Sequence, residues 1–151
     1  MILQSMMWLV ALWIVQSVPP PGKQVDLSGH WVIDSKFDVR GASEADPEIC
    51  ARDCVMTQDK QTLTVKVGAK TTTYRLDGVP TTKTFQVAEY APEIKTTARW
   101  DADVLVVVVV IKVDDSVREN RSRISLHNGR LSIDTTSTSK PSKHIEYTRS
   151  K

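Results

Sequence analysis

The stretch Asp101–Asp115, "DADVLVVVVVIKVDD", holds eight consecutive apolar residues, Val104 to Ile111, with aspartates on both sides. Extended, that run spans about 26 Å. An outer-membrane strand would alternate apolar with polar residues, and a spanning helix would need about 20 residues. The segment therefore reads as a strand that is apolar on both faces. Its outward valines need cover from the chain itself or from a partner, because an open β-branched row invites association. Both parities being hydrophobic, pattern alone leaves open whether Trp100 pairs with Val104 or Leu105.

Working outward, the remaining apolar clusters are short, β-branched and alternating, and no window carries the spacing of a three-turn helix. Strands are expected at Trp31–Asp34, Val55–Gln58, Thr62–Val67, Thr71–Leu76, Thr84–Val87, Ile94–Trp100, Val104–Val113, Val117–Leu126, Arg130–Ser137 and Lys143–Arg149. The links between them, such as "GAK", "DGVP", "DDS" and "HNG", are short and built of turn residues. Short links pair neighbours antiparallel, and closing such a meander removes its exposed edges. The predicted fold class is all-β: an antiparallel up-and-down meander closing into a barrel of eight to ten strands. Gly41 to Asp53 interrupts the pattern as a loop or short helix. By parity, Leu63, Val65 and Val67 share one face, as do Tyr74 and Leu76, Phe85 and Val87, and Ile145 and Tyr147; these faces point to the core.

At 151 residues the chain fits one domain. Lys and Arg number 20 against 18 Asp and Glu, so a net charge of +2 supplies no broad field for nucleic acid or an anionic membrane. Residues 1–17 carry an apolar core, Met6 to Val15, too short to span a bilayer. They read as a signal peptide, with an extended linker over 18–25 and the barrel domain over 26–151, although no Lys or Arg precedes the apolar core. The alternative is an uncleaved N-terminal anchor. The expected location is the periplasm or outside the cell, with no stable membrane span after cleavage. Export permits a disulfide, and Cys50 and Cys54 are close enough to form a local clip. A loop of this size adds about 2 kcal/mol at most.

Gly29-His30-Trp31 opens the meander and Tyr147 with Arg149 closes it, so the two ends become neighbours if the barrel shuts. An arginine lying over the face of a buried Trp would be held by cation–π contact and by nearby carbonyls. This combination resembles the lipocalin and fatty-acid-binding superfamily, marked by a Gly-x-Trp on the first strand and an Arg from the last strand packed across that Trp. More closely it is similar to small exported bacterial lipocalin-like proteins that begin "L-x-G-x-W", carry "Y-x-L-D-G" and "W-x-x-x-x-L", and end "Y-x-R". Here these are Leu27, Gly29 and Trp31; Tyr74 to Gly78; Trp100 and Leu105; and Tyr147 with Arg149. The segment "CARDC" lies outside that pattern. The resemblance implies a calyx closed by Gly29, Trp31 and Arg149 and able to hold a hydrophobic or amphipathic small molecule, with Tyr74, Trp100 and Tyr147 lining the interior.

The "HNG" turn sharpens this expectation. Pairing outward from it sets Ile124 against Ile133, Ser122 against Thr135 and Asn120 against Ser137, so one face turns from apolar to polar. A ligand with a polar head would meet Asn120, Ser122 and Thr135 there, with Arg118 beyond as an anion contact. The plainer reading makes that end the solvated mouth. A ligand-sized cavity would be roughly 300 Å³ or more. No catalytic motif, cofactor motif or metal-ligand spacing is present in the sequence; His30 has the parity opposite to Trp31, and His127 lies in a turn. The competing class is a filled barrel that docks a partner, or a second copy as a homodimer, through Val104–Ile111. A third is an enzyme with a cross-strand site.

Overall fold

The computed structural model describes residues 24–37 and 49–151. The signal-peptide reading, the linker up to residue 23 and residues 41–48 of the interrupting segment lie outside the described residues. Ten strands follow in chain order: β1 Gly29–Ile33, β2 Asp53–Gln58, β3 Thr62–Val67, β4 Lys70–Arg75, β5 Thr81–Thr84, β6 Glu93–Asp101, β7 Val104–Val113, β8 Ser116–His127, β9 Arg130–Ser137 and β10 Lys143–Arg149. One 3₁₀ turn, Ser35–Phe37, follows β1.

The strands form one antiparallel sheet in the order β4-β3-β2-β1-β10-β9-β8-β7-β6-β5. The chain's two ends meet where Trp31 pairs with Arg149 and Ile33 with Tyr147. The last gap, between β4 and the β5–β6 hairpin, is drawn together where Asp77 bridges to Arg99 on β6 and the Gly78 amide donates to the Ala98 carbonyl at 3.0 Å. The result is a nearly closed up-and-down barrel, as its short turn-rich links require. The "HNG" turn places Asn128 and Gly129 at φ 51° and 74°, the positive values a two-residue hairpin loop needs.

Alternation builds the core. Leu27, Trp31, Leu63, Leu105, Ile124 and Leu131 are fully buried, with Met56 and Tyr147 beside them. Each such side chain contributes about 1.5–3 kcal/mol through burial. On β7, Trp100 pairs with Leu105, which settles the register that the valines left ambiguous. Leu105 and Val107 then point inward and Val106, Val108 and Val110 outward. Val106 is nonetheless only 3% exposed. It lies between Arg99 on β6 and Arg123 on β8, while Val108 lies between Thr97 and Arg121. The aliphatic stems of the two arginines can cover Val106, while Val108 and Val110 stay half-buried.

One expected strand is displaced. Thr84–Val87 was predicted with Phe85 and Val87 facing the core, but β5 occupies Thr81–Thr84 and those two side chains are 46% and 59% exposed. The cause is position along the sheet. Pairing of β6 with β7 ends at Glu93 and Lys112, so residues 85–92 project past the rim as a two-stranded ribbon with no layer of the described residues to pack against.

Candidate binding site at the barrel mouth

The closed end is assembled first. Trp31 is fully buried, and its Nε1 donates to the Leu27 carbonyl at 2.9 Å. The Arg149 guanidinium lies 4.9 Å from the Trp31 ring centroid and donates through Nη2 to the Ser28 carbonyl at 3.0 Å. Arg149 itself is solvent-exposed, so it caps the indole from the water side of the rim rather than from within. Gly29 has φ +152°, and a Cβ there would stand 3.1 Å from Arg149 Nε. A side chain there would crowd the guanidinium and strain the backbone, so glycine suits the position. Gln58, which the sequence reading did not single out, ties down the entering chain: its Oε1 accepts from the Leu27 amide and its Nε2 donates to the Val25 carbonyl.

Toward the other end the interior changes character row by row. Trp100, Leu105, Ile124, Ile133 and Ile145 share one row; the next holds Ala98, Val107, Ser122, Thr135 and Lys143; the one beyond holds Thr96, Val109, Asn120 and Ser137. The pairings expected from the "HNG" turn are those observed. Ser122, 8% exposed, shares a hydrogen bond of 3.0 Å with the Thr135 hydroxyl.

A cavity of about 50 Å³ opens at this polar end, between Asn120, Thr135 and Ser137 on one side and Ile133, Ile145 and Tyr147 below, with Lys140 and Lys143 at its edge. That is room for a few waters or a small head group, well under the roughly 300 Å³ of a typical ligand site. Of the residues proposed to bind, Asn120, Thr135 and Tyr147 line it; Ser122 shares the row of Thr135 but is not part of the lining. Arg118 is exposed on β8 and does not line it. Tyr74 and Trp100 do not line it but belong to the core packing: Tyr74 pairs with Leu63 on β3, Trp100 with Leu105 on β7, and burial pushes the Tyr74 hydroxyl pKa up to about 12. Among the described residues, none partners the buried Nε1 of Trp100.

Cys50 and Cys54 form the expected disulfide, their Cα atoms 5.4 Å apart. Cys54 lies on β2 opposite Trp31, and the Cys50 carbonyl accepts a 2.7 Å hydrogen bond from the buried Tyr147 hydroxyl. Ile49 and Cys50 thereby form part of the cavity wall. Sequence reasoning missed these two, because no periodicity links the segment to β10. Lys143 was within reach, since it shares the parity of Ile145 and Tyr147.

The outer wall carries a charge network. Arg130 on β9 bonds both Asp34 and Glu146, the latter at 3.0 Å. His144 Nδ1 lies 2.5 Å from Asp134, and Phe37 packs edge-on against its ring at 5.5 Å. The Asp134 carboxylate raises the His144 pKa above its ordinary value, and hydrogen bonds from the Lys36 amide and from Arg130 lower that of Asp34. His30 faces outward toward Asp53 at 3.2 Å. Among the described residues no group of three or more His, Cys, Asp or Glu is placed to hold a metal ion, and no helix is long and apolar enough to cross a membrane. No protein-family model matches the chain, and no curated protein matches it.

Proposed function

We propose that this protein is an exported, lipocalin-like binding barrel that holds an amphipathic small molecule at its mouth. One observation carries the reading: the interior passes from a packed apolar floor to a belt of Ser122, Thr135, Asn120 and Ser137, and the cavity opens where the two meet. The hydroxyls and amide there can hold a polar head, while Ile133, Ile145 and Tyr147 offer apolar surface beneath it. The disulfide is compatible with an oxidising compartment. Native mass spectrometry of the exported protein, compared with its denatured mass, tests the proposal. Extra mass released on denaturation supports it, and replacing Thr135 and Asn120 by Val and Leu should then lower occupancy. A chain that stays bare after exposure to amphiphiles counts against it.

The size of the cavity favours a second reading, a filled barrel acting as a structural or protein-interaction module through Val104–Ile111. That reading expects a dimer or a captured partner. A bare monomer at high concentration would sink it.

A further inference from the structure

Among the described residues, the β5–β6 hairpin gathers much of the exposed large-hydrophobic surface. Phe85, Val87 and Tyr90 are 46%, 59% and 52% exposed. The ribbon is regular: the Phe85 amide donates to the Pro92 carbonyl at 3.1 Å, and Val87 and Tyr90 exchange two backbone hydrogen bonds of 2.9 Å. With Lys83 opposite Ile94, this register sets Phe85 beside Pro92 and Val87 beside Tyr90 on a single face. Thr84, Gln86, Ala88, Glu89, Ala91 and Glu93 occupy the other. The hairpin is thus amphipathic, with both of its acids segregated from its aromatics and one lysine at the barrel end of the apolar face.

We propose that this face docks on a lipid bilayer, with Phe85 and Tyr90 in the interfacial region and Lys83 at the level of the lipid phosphates. Aromatic rings favour that depth, and a lysine behind them matches anionic head groups. A second copy fits less well. Two half-exposed aromatics and a valine offer roughly 300 Å², whereas a stable protein interface takes about 800 Å² from each partner. A two-fold contact between these faces would also bring Lys83 toward its own copy. The proposal does not depend on the barrel holding a ligand.

The test is co-flotation of the full chain with vesicles of phosphatidylcholine and phosphatidylglycerol, alongside the double variant Phe85→Ser/Tyr90→Ser. The double variant is expected to lose at least about tenfold in partitioning, since each ring removes a large apolar area from the contact. It should keep the wild-type melting midpoint, as these side chains pack on little. Because the apolar N-terminal segment can itself favour lipid, Phe85→Trp supplies a local readout: its added emission should be quenched by brominated lipids. Equal partitioning of wild type and double variant, together with a Phe85→Trp emission that brominated lipids leave unchanged, overturns the proposal. So does a concentration-dependent dimer that the double variant abolishes without any vesicle binding, which would make the face a contact between copies.

Discussion

Gly29, Trp31 and Arg149 act as a unit, because the left-hand φ of the glycine and the missing Cβ are what let the guanidinium lie across the indole. Arg149→Ala removes the stacking and the hydrogen bond to Ser28 but leaves Trp31 bonded to Leu27. A loss of about 1–2 kcal/mol is expected, read from the urea midpoint. Gly29→Ala should cost at least as much, since it adds both backbone strain and a clash with Arg149. Tyr147→Phe strips the buried Cys50 carbonyl of its donor, with a similar expected loss. His144 gives a pH dependence whose sign follows from its raised pKa. Its contribution is fully present below the unfolded value near 6.5 and is lost as pH rises through the higher folded value. Asp34, held below 3.8, contributes above that pH and loses its effect as pH falls. His144→Gln should therefore flatten the decline of stability on the alkaline side and leave the acid limb in place. A decline unchanged in the variant would assign it to other groups.

At the scale of elements, strand identity was legible where alternating or β-branched apolar runs lay between turn residues and had a neighbour to pair with. Thr62–Val67, Val104–Val113, Arg130–Ser137 and Lys143–Arg149 match the observed strands end to end. Alternation reports which side chains share a face, but not whether a neighbouring strand extends far enough to cover that face. That is why Phe85 and Val87, correctly paired in parity, lie in solvent beyond Glu93. The consequence is testable. Replacing Gln86–Ala91 by a two-residue Asn-Gly turn should shift the unfolding midpoint by no more than about 0.5 kcal/mol, as expected of a segment outside the core. The same logic explains the candidate site. Asn120, Ser122 and Thr135 were readable from a turn and a register, whereas Arg118 shares their parity but lies too far along β8 to reach the cavity.

For the whole molecule, β10 is the element on which closure depends, since it pairs β1 on one edge and β9 on the other. Removing Lys143–Arg149 would open both edges and uncover Trp31 and Leu131, so loss of the cooperative unfolding transition and of near-ultraviolet ellipticity is expected. Retention of a sharp transition would mean that the remaining strands close by another route. What the sequence determined by itself is the all-β class and the antiparallel order of neighbours, because alternation, turn chemistry and short links are local properties; it allowed the disulfide and the meeting of the first and last strands without fixing either. Tertiary structure alone decided the register of the valine strand and the burial of Val106 on its outer face. It also decided that Tyr74 and Trp100 pack in the core away from the cavity while Ile49 and Cys50 wall it. Those outcomes depend on which strands lie side by side and how far each extends, which no local pattern encodes.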